Sequence, residues 1–491
     1  MNIALNLGKK IVALDHAAIP REALHWAKQG ILDTVGVTIA GAEAACTQMV
    51  AQMVTVGEAA APAPGGGLQG GGALLFGFGR RVSALDAALV NGTAAHALDF
   101  DDCSNTLGGH PSAPILPGLI ALGETRGASG RDVILAYLAG FETETAIAKG
   151  VNFHHYEKGW HPTGTLGTFG AAAAAAKLID LDAERTATAL ALAVSLASGV
   201  KANFGSMAKP LHVGHCARNG LMAALLSEQG FTARPDAFEH RQGFFEVYNG
   251  AGTYDPERIG EGWADPFDIL DPGLAIKLFP CCASTHPAID AMLKLRLEND
   301  LNAENVAHVV SWTHPRRLAH TNRPDPKEPL DAKFSVQYVL ARALLEGRVG
   351  IEHFEGGAFN DPDVRRVMER IVAEPHPKAI MEDTKHFFAE VTVTMTGGRT
   401  VSAWVDQPVG RGPESPLPPG VLAVKFKNCA GRVLTSEAVG ELLSLIEDLD
   451  AVSDIRQMTA IIGTGRPKVC ARGHFPVEPG QDGYYSRIGN C

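Results

Sequence analysis

The sequence predicts a mainly α protein, in which a large helical domain is built from both ends of the chain and a smaller α+β domain is inserted between them. Three observations predict this class. Apolar residues recur at the three-and-four spacing of an amphipathic helix near the N-terminus, at Leu24, Ala27, Ile31 and Val35. Ala- and Leu-rich segments with similar patterns fill the first half of the chain. After residue 270 the sequence pattern changes to shorter, alternating segments. This change agrees with the length of 491 residues, which exceeds the usual size of one hydrophobic core and so predicts two domains.

The first part of the helical domain is expected to span residues 1–270. Several of its helical patterns begin after Ser, Thr or Asp and end near Gly, as helix capping predicts. The predicted helices span residues 21–40, 84–98, 114–125, 131–151, 168–179, 183–198 and 217–229.

The smaller α+β domain is expected at residues 271–407. Residues 306–312 have the pattern of a strand and 334–345 that of a helix, and two alternating segments flank Gly397-Gly398 as in a β-hairpin. Five prolines and two glycines at 408–419 are typical of a linker. A helical pattern over 436–462 then predicts that residues 408–462 return to the large domain, and the tail 463–491 has too little periodicity to assign.

Composition excludes several classes of function. The formal charge of −11 argues against a nucleic-acid partner, which requires a basic face. The apolar run 186–200 is shorter than the roughly 18 residues of a membrane span, and the N-terminus lacks the order of a signal peptide. We therefore expect a cytoplasmic protein that has no membrane partner.

Two further patterns bear on cofactors. The eight cysteines lack C-x-x-C spacing, so zinc and iron–sulfur ligation lose support and reduced thiols are expected. The Gly-rich segment 57–72 lacks the Lys-Ser/Thr ending of a phosphate-binding P-loop and is interpreted as a surface connection. These patterns therefore give no support to a zinc site, an iron–sulfur cluster or a phosphate-binding P-loop.

Five polar stretches are candidates for chemistry. His161 precedes a turn that contains glycines, and the run of six alanines at 171–176 follows that turn. Three acids at 99–102 precede His110, and this stretch is either a solvated helix end or a charge-pairing site. Lys209, His212 and Arg218 lie close together in an acidic chain, which suits either a carboxylate site or a helix cap beside a core histidine.

The remaining two stretches lie in the smaller domain. Lys277, inside an apolar string, either extends to solvent or has a buried anionic partner. The adjacent Cys281 and Cys282 are interpreted as packing residues rather than nucleophiles. The polar loop from His320 to Arg323 offers a cation for an anionic ligand.

Taken together, these stretches resemble the MmgE/PrpD family of 2-methylcitrate dehydratases, which also contains cis-aconitate decarboxylases. The resemblance spans residues 24–462 in order and is carried by the strings NGTAAHALDFDD, HPSAPILPGLIALGE, GWHPTGTLGTFGAAAAAAK, AKPLHVGHCARNG, IKLFPCCASTHPAID and KFSVQYVLARALLEG. It implies a large helical domain with an inserted α+β lid, a homodimer, and catalysis without a metal or organic cofactor.

The resemblance also implies the active site. The family's catalytic positions fall on Asp99, His110, His161, Lys209 and Lys277, and substrate contacts are expected from Cys103, His212, His320 and Arg323. Two of these depart from the decarboxylases, which have Thr in place of Cys103 and, in the animal enzyme, Tyr in place of His320. Because of these departures, the exact reaction of the decarboxylases cannot be inferred for this chain, whereas the position of the active site can.

The implied chemistry is proton transfer next to a carboxylate of a small di- or tricarboxylate. Negative charge that develops on the substrate requires cationic partners, for which Lys209 and Lys277 are the candidates. His161 is the expected general base or acid, His110 its opposite partner, and Asp99 orients a histidine or balances a lysine.

Several outcomes of this chemistry remain open. Dehydration of a methylcitrate-like acid ranks first, a cofactor-free epimerase or racemase of a dicarboxylate second, and a cis-aconitate-type decarboxylase third. A non-catalytic tricarboxylate-binding protein is the alternative of a different class, but it would have no need of both His110 and His161.

Overall fold

The computed structural model describes residues 2–55, 72–378, 387–412 and 415–465, which fall into two compact units. The first unit runs to Ile276 and resumes at Leu422, and the second spans Lys277–Val421. Residues 271–276 group with the first unit because Leu274–Ala275 pairs with Cys103–Ser104. The Gly-rich segment up to Gly71 and the tail from residue 466 lie outside the described residues.

The first unit is mainly helical, in agreement with the predicted fold class. Its helices before the second unit are α1 (Ile3–Ala13), α2 (Arg21–Gly41), α3 (Ala45–Thr55), α4 (Ala84–Ala97), α5 (Ser112–Arg126), α6 (Gly130–Val151), α7 (His154–Lys158), α8 (Pro162–Thr165), α9 (Gly167–Leu178), α10 (Ala183–Leu196), α11 (Ala208–Glu228) and α12 (Glu257–Gly260). Two small antiparallel sheets accompany them, formed by β1 (Ala73–Leu75) with β2 (Arg80–Val82) and by β3 (Cys103–Ser104) with β4 (Leu274–Ala275).

The alanine run lies in α9, where residues 171–176 are all buried between α6 and α11. These helices approach closely at glycines: a Cβ on Gly220 of α11 would lie 2.4 Å from the Ala171 methyl. Because a methyl group contributes only about 0.8 kcal/mol on burial, the alanines act mainly by allowing this close packing. The result is a closely packed helix that follows His161 and α8 in the chain.

One predicted helix boundary is wrong in a way that matters for the site. Helix α11 begins at Ala208 rather than at residue 217, so Lys209 and His212 are helical. Pro210 fits the first turn, where its missing N–H leaves no hydrogen bond unmade. Gly214 does not end the helix but meets α4, since a Cβ there would lie 2.2 Å from the Leu89 carbonyl oxygen.

The second unit is α+β. Its helices are α13 (His286–Asn299), α14 (Pro315–Thr321), α15 (Pro329–Ala332), α16 (Val336–Glu346) and α17 (Pro362–Met368). Its strands are β5 (Val306–Thr313), β6 (Ile371–Pro375), β7 (Ala389–Met395) and β8 (Thr400–Val405), in the order β6-β5-β7-β8. The expected hairpin is β7–β8, β5 is antiparallel to β7 and parallel to β6, and one apolar core joins α13 and α16 to the sheet.

The described part of residues 408–421 groups with the second unit, where the Val409 N–H donates to Asp290 Oδ2 at 3.1 Å. The chain then continues through α18 (Val421–Ala430), α19 (Ser436–Glu447) and α20 (Arg456–Thr464). The pattern over 436–462 thus corresponds to two helices rather than one. Among the helices of the described residues, none is long and apolar enough to cross a membrane.

Candidate active site

The site is built on the loop that follows α4. Asp99 takes a left-handed backbone conformation with φ 51°, which Asp tolerates better than most residues. The Oδ1 atom of Asp99 accepts a hydrogen bond of 2.6 Å from Lys209 Nζ, in the first turn of α11. Both side chains are buried. The loop therefore presents a charge pair away from bulk water, where electrostatic interactions are strong.

Asp101 bridges two histidines. Its Oδ2 atom lies 2.7 Å from His96 Nδ1 and 3.2 Å from His110 Nδ1. Burial raises the pKa of the Asp101 carboxyl, but the interactions with His110 and with His96 lower it by more, so the pKa lies well below its usual range. An ionised carboxylate only accepts hydrogen bonds, so hydrogen-bond accounting places a proton on Nδ1 of both rings.

His96 is neutral in this arrangement. Burial lowers the pKa of its imidazole to about 3, despite the nearby Asp101. With its proton on Nδ1, its Nε2 atom is an acceptor, and that atom is buried without a hydrogen-bond partner among the described residues. His96 thus fixes Asp101 from one side and offers a lone pair on the other.

His110 lies between two carboxylates. Its Nε2 atom is 3.7 Å from Asp99 Oδ1 and its Nδ1 faces Asp101. Its backbone N–H donates to Thr163 Oγ1 at 3.0 Å, and Cys103 Sγ lies 3.9 Å from Nδ1. Carboxylates on both sides suit an imidazolium, the form that delivers a proton.

His161 stands at the N-terminus of α8, on the other side of His96. Its backbone N–H donates to the Gly199 carbonyl, and its own carbonyl accepts from Gly164 and Thr165. Its ring centre lies 5.6 Å from that of His96 and meets Phe204 edge to face at 4.9 Å. Its Nδ1 atom lies 3.2 Å from His212 Nδ1.

The electrostatics of His161 differ from those of His110. Burial lowers the pKa of the His161 imidazole well below its usual value, and His96 and Lys209 add to this effect. His161 is therefore neutral near pH 7, the form that accepts a proton. The two rings stand in environments that suit opposite protonation states, the usual arrangement of a general base and a general acid.

The structure brings together six of the nine residues named from the sequence, all in the first unit: Asp99, Cys103, His110, His161, Lys209 and His212. The other three belong to the second unit. Lys277 is buried there, and His320 Nε2 lies 3.2 Å from Ser284 Oγ. The Arg323 guanidinium pairs with Asp331 and also donates to the His320 carbonyl.

Sequence reasoning missed His96 and Asp101 as members of the cluster. The string HALDFDD contains both residues, but its spacing alone did not show which of its three acids face the histidines. Asp99 and Asp101 face the histidines, whereas the Phe100 carbonyl and the Asp102 side chain contact Lys425 and Ser112. The alternation identifies which acids belong to the site.

The donor set also bears on metal binding. Ligand atoms of His96, Asp99, Asp101 and His110 lie within 4.8 Å of one another, close enough for a metal ion. A cation already faces this group, because the Lys209 ammonium binds Asp99 at 2.6 Å. We therefore assign no ion to the cluster and treat Lys209 as its cationic component.

Two family models match the chain. Residues 6–257 match the model of the MmgE/PrpD N-terminal domain, and residues 279–451 match that of the MmgE/PrpD C-terminal domain. Together these matches cover nearly all of both units.

Among curated relatives, the chain is 30% identical to the cis-aconitate decarboxylase of Homo sapiens over 406 residues, which are 80% of this chain and 82% of that protein. It is 29% identical to the cis-aconitate decarboxylase of Mus musculus, over 78% and 79% of the two chains. It is 26% identical to that of Aspergillus terreus (strain NIH 2624 / FGSC A1156), over 90% and 92%.

Proposed function

Since the chain belongs to the MmgE/PrpD family, we propose that it is a lyase that transfers a proton at a carbon next to a carboxylate of a small tricarboxylate. The observation that carries this proposal is the opposed pair of histidines beside a lysine. His161 is neutral and buried, His110 lies between Asp99 and Asp101, and the Lys209 ammonium is adjacent. A base, an acid and a cation are the three groups that such a proton transfer requires.

Decarboxylation of a cis-aconitate-like acid is the first candidate reaction, because three relatives from animals and a fungus carry that name. In this reaction the bond between the substrate and the departing CO2 breaks, and its electron pair stays on the substrate. Lys209 stabilises the resulting negative charge, which spreads onto a remaining carboxylate. His110 then donates a proton to the carbon next to that carboxylate.

Dehydration of a hydroxy-tricarboxylate such as 2-methylcitrate is the second candidate, and the neutral state of His161 favours it. Here His161 accepts the proton from the carbon next to the carboxylate, and the electron pair forms the double bond. The hydroxyl group leaves as water with the proton that His110 donates. Decarboxylation needs no such base, so the role of His161 separates the two candidates.

A panel of substrates in D2O, followed by NMR, assigns the reaction. We expect CO2 release from cis-aconitate with one deuterium in the product if the first candidate holds, and alkene formation from 2-methylcitrate if the second holds. Loss of optical rotation with deuterium uptake on chiral dicarboxylates would instead identify an epimerase. No reaction with any member of the panel would contradict the proposal and leave a binding protein.

The roles of the second-unit residues remain predictions from the resemblance. We propose Lys277 as a further cationic group for catalysis and His320 and Arg323 as substrate contacts. If Lys277 acts in this way, Lys277→Met lowers kcat/KM by about 100-fold, whereas Lys294→Met, on α13 of the same unit, leaves it unchanged. Equal activity of the two variants would remove Lys277 from the site.

The resemblance further implies a cofactor-independent, cytoplasmic homodimer, and we carry these points as proposals. Prolonged treatment with a chelator should leave activity unchanged. Inactivation that added metal restores would overturn the assignment of Lys209 as the cation of the cluster. Light scattering coupled to size exclusion measures the mass of the assembly directly, and a mass of one chain would contradict the homodimer.

A further inference from the structure

We propose that His212 is a positioning residue that determines which ring nitrogen of His161 carries the proton. The inference rests on the proposed function in one respect, namely that His161 acts as the base. It assigns to His212 a role different from the substrate contact expected from the sequence.

The geometry restricts the two rings to few states. His161 Nδ1 and His212 Nδ1 lie 3.2 Å apart, so one nitrogen must donate a hydrogen and the other must accept it. With its Nδ1 engaged in this way, His161 has only Nε2 left for the substrate. A base requires a lone pair on that Nε2. His161 must therefore donate from Nδ1, and His212 must accept at Nδ1 while carrying its own proton on Nε2.

The backbone holds the two rings in this contact. The His161 main chain is fixed at the start of α8, and His212 lies one turn after Lys209 in α11. Glycines make room for the His212 ring, since a Cβ on Gly164 would lie 3.3 Å from His212 Cβ and one on Gly199 would lie 3.2 Å from His212 Cγ. His161 is buried whereas His212 is partly exposed, so solvent protons reach the pair through His212.

Protonation of His212 reverses the arrangement. An imidazolium carries protons on both nitrogens, so its Nδ1 can only donate and His161 Nδ1 must accept. The single proton of neutral His161 then resides on Nε2, and the base is lost. The pair gains one proton from solvent in total, because His212 takes up one proton and His161 exchanges its Nδ1 proton for one on Nε2.

The groups around His212 lower the pH at which it becomes protonated and the arrangement reverses. Lys209 and His215 lie on its own helix, and His161 faces it from α8. Burial lowers the pKa of His212, and Lys209 and His215 lower it further. The reversal is therefore expected below the ordinary imidazole pKa of about 6.5, so at neutral pH the base-competent state prevails.

NMR of protein labelled with [15N]histidine tests the assignment without any activity. Two-bond 1H–15N couplings distinguish the two tautomers, and His161→Gln identifies the His161 signals by their loss. At pH 7.5 we expect His161 protonated on Nδ1, with a change to Nε2 as His212 titrates. A His161 ring already protonated on Nε2 at pH 7.5 would overturn the proposal, even if the reaction were assigned correctly.

Two variants test the kinetic consequence. Asn places an amide oxygen near the position of Nδ1 and does not titrate. His212→Asn should keep kcat within about threefold at pH 7.5 and move the acidic limb of the pH profile to lower pH, whereas His212→Leu should lower kcat at least tenfold with little change in KM. The control is His215→Asn, an exposed histidine three residues further along α11. An acidic limb that His212→Asn leaves in place, or that His215→Asn removes, would contradict the role of His212.

Discussion

Asp101 and Asp102 are adjacent, equally buried acids whose ionisation the fold drives in opposite directions. The pKa of Asp101 lies well below its usual range, because the charge of His110 and contact with His96 outweigh burial. The pKa of Asp102 lies well above it, because burial and the nearby Asp33 both disfavour the carboxylate. The loop after α4 thus separates a charged cluster, which consists of Asp99, Asp101, His110 and Lys209, from a neutral one.

The neutral cluster consists of Asp102 and Glu144. Ser112 donates to Asp102 from its backbone N–H and its hydroxyl, and Ser112 Oγ lies 2.5 Å from Tyr137 Oη. Neither carboxyl oxygen of Glu144 has a hydrogen-bond partner among the described residues, and burial, followed by Asp102, raises its pKa well above the usual value. Protonated acids of this kind add no charge beside the loop.

The difference teaches that partners, rather than residue type or depth of burial, decide which of two adjacent acids is ionised. A lysine beside the neutral cluster holds the loop after α4 in place. Lys425 of α18 donates to the Phe100 carbonyl at 2.7 Å and pairs with Asp33 at 2.5 Å. Along residues 99–102, side chains of the charged cluster therefore alternate with groups that make structural contacts.

The largest expected effect follows from removing the cation of the charged cluster. Lys209→Met should lower kcat/KM by about 1,000-fold, because Lys209 stabilises charge that develops in the transition state. Steady-state kinetics on the assigned substrate measures this effect. The matched control is Lys177→Met on α9, whose ammonium contacts the Val12 carbonyl and which should keep native activity. Similar activities of the two variants would refute the charged cluster as the catalytic centre.

The two adjacent acids should respond differently to the same substitution. Asp101→Asn removes an anion that accepts from two imidazoles and should destabilise the fold by about 3 kcal/mol. Asp102→Asn replaces a protonated carboxyl by an amide of the same shape and should cost no more than about 1 kcal/mol. Urea midpoints at constant m-value measure both changes. Equal losses would mean that Asp102 is ionised and that the contrast is wrong.

A smaller effect is expected in the pH dependence of stability. Burial raises the pKa of Glu142 from 4.5 to about 8, although the Asp268 and Ile269 N–H groups donate to its oxygens. A raised folded-state pKa stabilises the protein fully below pH 4.5, and this contribution is lost as pH rises through 8. Unfolding by urea at pH 6 and pH 8.5 should show a smaller decline for Glu142→Gln than for the native protein. An unchanged decline would place the ionisation elsewhere.

Much of the fold was predictable because it depends on local patterns. Apolar spacing predicted α2 and α6 within a few residues, and alternation around Gly397-Gly398 predicted β7 and β8. The start of α11 was not predictable, because Pro210 and Gly214 signal a break unless the packing of Gly214 against α4 is known. The boundary near residue 276 likewise depends on β3–β4 pairing between distant segments.

The candidate site was predictable in its residue types but not in its protonation states. The motifs indicated His110, His161 and Lys209, which the structure places around one loop. They did not separate Asp101 from Asp102, or reveal that His96 and His212 lie beside His110 and His161. Those properties arise from contacts between residues far apart in sequence, and the spacing of residues along the chain does not reveal such contacts.

The most direct test of the account is the rate at which solvent deuterium enters the carbon next to the substrate carboxylate. NMR in D2O measures this rate for the native protein, His110→Gln, His161→Gln and Asp102→Asn under the same conditions. The histidine that exchanges the proton with this carbon is His110 in decarboxylation and His161 in dehydration, and we predict that its Gln variant slows deuterium transfer by at least about 100-fold, while Asp102→Asn stays within a few-fold of native. Transfer at the native rate by both histidine variants, or its loss in a folded Asp102→Asn, would contradict the assignment of proton chemistry to these histidines.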